Sequence, residues 1–259
     1  LDTNLTFSDT KITKDMHVSR TLSYTPIDSP YDSWEKLIST LYDPEERQKI
    51  EWAIGSILSG ESKKIQKFLV FYGDAGTGKS TVLNIIQWLF DGYYAIFDAK
   101  ALATSSNQFS TEAFKNNPLI AIQHDGDLSK IEDNSKLNSI VAHEEMTINE
   151  KHKSLYSIKM NAFLFMATNK PVKITDAKSG LIRRLIDVNP TGEKIPADRY
   201  QILMHNIKFE LGAIAQHCLN VYKTLGKHHY DNYRSAEMQY KTDVFFNFVD
   251  ANYFEFSKV

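Results

Sequence analysis

The segment Gly73–Ser80 carries glycines, a lysine and a serine in the spacing G-x-x-x-x-G-K-[ST]. Glycines allow a turn in which backbone N–H groups point at phosphate oxygens, while the lysine reaches the terminal phosphates and the serine hydroxyl ligates Mg²⁺. We therefore predict that this loop binds a nucleoside triphosphate together with Mg²⁺. The predicted binding residues are Gly73, Asp74, Ala75, Gly76, Thr77, Gly78, Lys79, Ser80 and Thr81.

Two acidic residues follow a later apolar segment, Leu119–Gln123, which is typical of a buried strand. Asp125 lies where a second Mg²⁺ contact is expected, direct or through water, in addition to Ser80. Asp127 is a candidate for polarising the attacking water. The alternative interpretation is an ordinary Asp-Gly turn at the end of a strand.

A basic triplet, Lys151, His152 and Lys153, interrupts two segments of alternating polarity. This pattern predicts a β-hairpin with a basic tip. Alone, such a tip is more often a solvated turn than a binding element. Its position matters, because it directly precedes a fourth apolar segment, Ala162–Ala167, whose strand ends beside Asn169.

Asn169 and two consecutive arginines follow that segment. Asn169 leaves the carboxyl end of a predicted strand, where it could sense the γ-phosphate, orient the water, or simply cap a turn. Arg183 and Arg184 lie in an apolar stretch, and an arginine finger supplied across a subunit boundary needs such a placement. A surface salt bridge is the alternative.

The elements that must position these residues alternate between strands and helices, which predicts an α/β fold with a central parallel sheet. Asp43, Pro44 and Glu46 form a helix-start signature with a capping box. The predicted strands are Phe68–Tyr72, Tyr93–Phe97, Leu119–Gln123 and Ala162–Ala167. The predicted helices run from Pro44 to Gly60, around Val82–Phe90, from Leu128 to Val141 and over Tyr200–Tyr222.

We divide the chain into a polar tail (1–30), a helical unit (31–64), a nucleotide-binding core (65–192) and a C-terminal helical region (193–259). Its 259 residues carry a net charge of −2, which argues against a surface coated in positive charge. The single cysteine, Cys218, excludes an internal disulfide framework, and no apolar run could span a bilayer. We expect a cytoplasmic protein without membrane contact, and a chain beginning at Leu1 suggests a piece of a longer one.

Taken together, residues from about 25 to 190 resemble the superfamily 3 helicases, in particular the ATPase module of phage and plasmid primase-helicases, which are related to the poxvirus primase-helicase. The motifs that carry the resemblance, besides the loop, are Ile54–Leu58, Gln66–Lys67, His124–Asp125, Lys136–Leu137, Glu150–Lys153, Ala167–Pro171 and Gly180–Leu185. Two departures are visible. Thr77 stands where the family often has Asn, and His124 and Gly126 flank Asp125 where relatives often carry paired acids.

The resemblance implies an AAA+-type fold with a small N-terminal helical unit and C-terminal helices. It also implies a ring of six subunits with ATP between neighbours, single-stranded DNA in the pore and a replicative helicase of phage or mobile-element origin in the host cytoplasm. A primase domain could precede this chain in its parent protein. The implied roles are Lys79, Ser80 and Asp125 at the ATP, Asn169 as sensor, Arg184 rather than Arg183 as finger, and Lys151 and His152 as the DNA-gripping residues. The catalytic base stays open between Asp125 and Asp127.

Two other functions fit the nucleotide loop. A small-molecule P-loop kinase would be a monomer with an acceptor pocket and no use for Arg184 in a neighbouring subunit. A non-catalytic assembly module would bind ATP as a structural ligand and show no turnover.

Overall fold

The computed structural model describes residues 21–104, 109–127, 133–172, 180–235 and 238. The helices in these ranges are α1 (Asp32–Leu41), α2 (Pro44–Leu58), α3 (Lys79–Leu89), α4 (Ala99–Leu102), α5 (Ser135–Val141) and α6 (Ala197–Leu225). The strands are β1 (Phe68–Tyr72), β2 (Tyr94–Ile96), β3 (Ile120–Gln123), β4 (Glu145–Ile148), β5 (Tyr156–Lys159), β6 (Phe163–Thr168) and β7 (Leu185–Val188). Each predicted strand is present within one or two residues of its expected bounds.

A parallel sheet of five strands in the order β2–β3–β6–β1–β7 forms the centre of the molecule. Strand β6 lies between β1 and β3, so the loop strand and the acidic strand are second neighbours. Strands β1, β3, β6 and β7 are almost wholly buried, as expected when helices cover both faces of a parallel sheet. The predicted α/β class with a central parallel sheet is therefore confirmed.

Apolar side chains cover the sheet on both faces. Helices α1, α2, α3 and α6 pack on one face, and their largest buried side chains are Trp34 and Trp52. Helices α4 and α5 and the base of the β4–β5 hairpin cover the other face around Phe114. The hairpin is antiparallel, with Met146 opposite Ile158, and confirms the sequence prediction. No helix of the described ranges is long and apolar enough to cross a bilayer.

Helix α2 begins as predicted, with Asp43 as the N-cap residue and Pro44 in the first helical position. The predicted capping box is wrong, however. The Glu46 carboxylate instead accepts hydrogen bonds from Lys49 Nζ at 2.7 Å and from the Asn189 N–H at 2.8 Å. Because Asn189 follows β7, Glu46 fastens α2 to the carboxyl end of the sheet, a long-range contact that outweighs a local cap.

Three further features differ from expectation. Strand β7 was not anticipated, and the helix expected from Leu128 to Val141 begins at Ser135 in the described residues, with 133–134 non-helical and 128–132 outside them. Within the expected polar tail, residues 1–20 also lie outside them. The remainder is attached to α6, because the Ile27 N–H donates to the Gly212 carbonyl at 3.2 Å.

Candidate nucleotide site, arginine turn and basic hairpin

The loop Gly73–Ser80 connects β1 to α3, and its conformation depends on its glycines. Gly76 and Gly78 have φ of +80° and +87°, a left-handed backbone that side chains disfavour. A Cβ at Gly78 would also lie 2.7 Å from Leu41 Cδ1, so α1 packs directly against the loop there. A Cβ at Gly73 would lie 2.8 Å from Pro190 Cγ in the connection after β7.

Lys79 is the first residue of α3, and its ammonium group folds back over the loop. Its Nζ donates to the carbonyl oxygens of Gly73 and Asp74, each at 2.7 Å. Burial lowers the pKa of Lys79, while the carboxylates of Asp125 and Asp74 oppose that shift. Lys79 is therefore held over the loop, close enough to Asp125 for the two charges to interact. The next residue, Ser80, is exposed to solvent.

The carboxyl ends of three neighbouring strands meet beside this loop. The Gly73 N–H donates to the Thr168 carbonyl at 3.3 Å, and the Gly126 N–H donates to the Ala167 carbonyl at 2.9 Å. These two bonds join β6 to the segments that leave β1 and β3. Asn169, the first residue after β6, consequently lies between the loop and the segment that carries Asp125.

A cavity of about 430 Å³ opens over the loop, a volume that suits a nucleotide-sized ligand. Its lining residues include eight of the predicted or flanking positions: Ala75, Gly76, Gly78, Lys79, Ser80, Thr81, Asp125 and Asn169. The remaining wall consists of His124, which precedes Asp125 in the sequence motif, and of four residues not predicted for the site: Leu41, Lys194, Ile195 and Tyr200. Because β7 lies on the far side of β1 from β6, the Lys194–Tyr200 wall lies across the loop from Asp125 and Asn169.

The two candidate acids are placed differently. The Asp125 carboxylate is exposed and lines the cavity. Asp127 is not a lining residue of this cavity, and its Oδ2 lies 2.7 Å from Lys170 Nζ in an exposed ion pair. His124 also lines the cavity, and burial lowers its pKa, which favours a neutral imidazole beside Asp125.

The two arginines lie at the opposite edge of the sheet from the nucleotide loop. They end a single 3₁₀ turn (Ile182–Arg184), here called the arginine turn, directly before β7. In the parallel register Leu185 pairs with Phe68, the first residue of β1, whereas the loop follows the last residue of β1. Arg183 is exposed, but the Arg184 guanidinium donates to Asn138 Oδ1 at 2.9 Å and to Gln66 Oε1 at 3.2 Å.

The hairpin tip, residues 149–155, presents the predicted basic triplet to solvent. Lys151, His152 and Lys153 are all exposed, and His152 adopts a left-handed φ of +64°. Lys153 Nζ lies 2.8 Å from the buried carboxylate of Glu150, which also accepts from the Tyr156 hydroxyl at 2.6 Å. Within the part of the chain described, Lys151 and His152 form no ion pair.

The wall formed by Leu41, Ile195 and Tyr200 was missed because it is assembled from two distant parts of the chain, the end of α1 and the start of α6. The Thr191 N–H donates to the Leu41 carbonyl at 2.9 Å, which ties the connection after β7 to the end of α1. Tyr200 then follows in the first turn of α6. None of these residues belongs to a motif with fixed spacing from the loop.

Comparisons with known proteins agree with this fold. Residues 71–184 match the profile of a family of unknown function (DUF5906). The chain is similar to the apo C-terminal region of NrS-1, with a TM-score of 0.63 and 17% identity over 85% of this chain and 53% of that one. An A-form apo structure of the same region gives a TM-score of 0.62 and 16% identity over 85% and 52%.

A structure of JCV helicase with a bound small molecule matches with a TM-score of 0.36 and 9% identity over 81% of this chain and 65% of that one, too distant to support an argument. The chain spans about half the length of the NrS-1 structures. At these identities the likeness establishes a shared fold with the C-terminal region of NrS-1.

Proposed function

We propose that this chain is the motor domain of a DNA helicase, which hydrolyses ATP between neighbouring subunits of a ring and moves single-stranded DNA with its basic hairpin. The observation that carries the proposal is that two functional elements lie at opposite ends of the parallel strands. The carboxyl edge of the sheet holds the nucleotide cavity, and its opposite edge holds an exposed arginine that cannot serve the same cavity. The resemblance to superfamily 3 helicases supports six subunits and a role in phage or mobile-element replication, with a primase domain in the parent protein.

In this proposal ATP occupies the cavity over the loop. Its phosphates lie against the loop backbone, Lys79 and Ser80. Its adenine ring lies at the other side of the cavity, between Leu41, Ile195 and Tyr200. The Ser80 hydroxyl and the Asp125 carboxylate are hard oxygen donors, which suit Mg²⁺ held jointly by protein and phosphates. Such an ion stabilises the charge that develops during phosphoryl transfer.

The remaining roles follow from position. Asn169, between the loop and Asp125, orients the attacking water or contacts the γ-phosphate. The exposed Arg183 is the better finger candidate, because the Arg184 guanidinium is engaged within its own chain. Lys151 and His152 at the hairpin tip contact the DNA phosphates, with Lys153 contributing less because Glu150 partly neutralises it.

The test is ATP hydrolysis by the assembled chain with and without single-stranded DNA. We expect turnover that single-stranded DNA stimulates and that Lys79→Ala abolishes, with Lys223→Ala, an exposed lysine of α6, as a control for the loss of a lysine. Turnover that is indifferent to DNA in a ring would contradict the motor. Hydrolysis by a monomer that needs a small acceptor would favour a kinase, and binding without turnover would favour an assembly module.

A further inference from the structure

Three consecutive residues before β1 connect the hairpin to the arginine turn. Ile65, Gln66 and Lys67, here called the junction segment, lie between the 3₁₀ turn Ser62–Lys64 and β1. Each of the three residues makes a contact with a different part of the chain. These contacts lie at the sheet edge opposite the nucleotide cavity, outside the site described above.

The first contact fixes the base of the hairpin. His143 is buried, and its Nε2 lies 3.0 Å from the Ile65 carbonyl oxygen while its Nδ1 lies 3.2 Å from the Met160 carbonyl oxygen. Met160 follows β5 and donates its N–H to the Glu144 carbonyl at 3.0 Å, which closes the hairpin base. The imidazole ring therefore lies between the hairpin base and the junction segment, and because burial lowers its pKa, the neutral ring donates to one of these two carbonyls.

The second contact runs through Arg184. Its guanidinium bridges Gln66 Oε1 and both oxygens of Asn138, at 2.9 Å for Oδ1 and 3.3 Å for the carbonyl. Asn138 lies on α5, the helix that leads directly into β4 of the hairpin. A planar guanidinium with several fixed donors holds two segments at a set orientation better than a single point charge does.

The third contact fixes the arginine turn itself. Lys67 is buried, and its Nζ donates to the Arg183 carbonyl at 2.6 Å and to the Tyr233 carbonyl at 3.3 Å. The backbone that carries the exposed Arg183 side chain is thus held by the residue next to Gln66. Movement of the hairpin can reach Arg183 along the chain of contacts from α5 through Arg184 and the junction segment.

We propose that the junction segment, with Arg184 as a positioning residue, couples the hairpin to the arginine turn, so that DNA at the hairpin sets the position of Arg183. The inference rests on the proposed motor function. It assigns Arg184 to contacts within its own subunit and leaves the contact with a neighbour's nucleotide to Arg183.

The experiment uses Asn138→Ala in the assembled chain, with Asn134→Ala as a matched control. Asn138 Nδ2 donates to Asn134 Oδ1 at 3.0 Å, so both substitutions break that bond but only the first removes the side-chain acceptor for Arg184. We expect Asn138→Ala to reduce the stimulation of hydrolysis by single-stranded DNA about tenfold, at unchanged basal rate and DNA affinity. Asn134→Ala keeps full stimulation, and Asn138→Asp, which retains an acceptor, restores it.

Hydrogen exchange supplies a readout that does not depend on hydrolysis. A single-stranded oligonucleotide is expected to change amide exchange in the arginine turn of the wild type and of Asn134→Ala, but not of Asn138→Ala. Unchanged stimulation in Asn138→Ala, or an equal loss in Asn134→Ala, overturns the coupling while leaving the motor intact. A wild-type chain that binds no DNA or shows no stimulation overturns the proposed function, and the coupling fails with it.

Discussion

The position of the arginine turn predicts which mixtures of inactive chains regain ATP hydrolysis. Lys67 and Gly73 flank the five residues of β1, and the six residue steps between them, at 3.3 Å each, span about 20 Å. Arg183 therefore lies a full strand length from the loop of its own subunit, and in the proposed motor it acts on a neighbour's nucleotide. Lys79→Ala and Arg183→Ala should each be inactive alone, because an arginine finger contributes about 10³–10⁵ in kcat.

An equal mixture of the two inactive chains should recover activity. A competent interface needs the Arg183→Ala chain, with its intact lysine, beside the Lys79→Ala chain, with its intact arginine. Random head-to-tail assembly places them so at about one quarter of the interfaces. Phosphate release from the mixture should thus reach about a quarter of the wild-type rate, measured after mixed rings have been verified by native mass spectrometry.

A second mixture is the control, since Lys79 and Asp125 belong to the same cavity. Lys79→Ala mixed with Asp125→Ala leaves every cavity with at least one defect, so no recovery is expected whatever the assembly. Two results would refute the division of the site between subunits. One is recovery of hydrolysis in this control mixture, and the other is no recovery when Lys79→Ala is mixed with Arg183→Ala. A mixture of Lys79→Ala with Arg184→Ala should also recover hydrolysis. The Arg184→Ala chain alone should lose less activity than the Arg183→Ala chain alone.

Three further outcomes follow from the geometry. Tyr200→Ala should weaken ATP binding at least about fivefold in calorimetry, because aromatic contact with a base contributes about 1–3 kcal/mol, while binding of inorganic triphosphate stays unchanged. Lys151→Ala should weaken single-stranded DNA binding and lower its salt dependence by about 0.7 in slope, with a smaller change for Lys153→Ala, whose charge is paired. Burial lowers the pKa of Lys67 to about 8, and the charges of two arginines add to this effect. Because the folded pKa lies below the unfolded one, stability relative to Lys67→Met should rise from pH 8 to 10 by about 1.4 kcal/mol per unit in chemical denaturation.

The sequence was sufficient for the features that local chemistry determines. The spacing G-x-x-x-x-G-K-[ST] between an apolar strand and a helix is typical of a phosphate-binding loop, so the positions of Gly78 and Lys79 could be predicted. The carboxyl ends of parallel strands meet at one edge, which is why Asp125 and Asn169 were expected beside the loop. The hairpin was predictable because the period of two is a local signal.

Other features depend on contacts between distant segments and left no local signal. Strand β7 has only four residues and includes a buried aspartate, Asp187, so its pattern reads neither as alternating nor as apolar. Asp187 is accommodated because Tyr233, far along the chain, donates its hydroxyl at 2.6 Å. Glu46 and Arg184 likewise have roles set by residues more than forty positions away, which periodicity cannot reveal.

The charge distribution and the divided site lead to the same requirement for assembly. The chain as a whole has a net charge of −2. At its exposed hairpin tip, Lys153 is paired with Glu150, whereas Lys151 forms no ion pair within the described residues. One such tip gives weak, salt-sensitive binding to single-stranded DNA, because affinity grows with the number of phosphates neutralised. Several tips held on one strand act at a high effective concentration and bind far more tightly than one. In the proposed motor a single subunit lacks both a complete catalytic site and sufficient DNA affinity, and assembly supplies the two together.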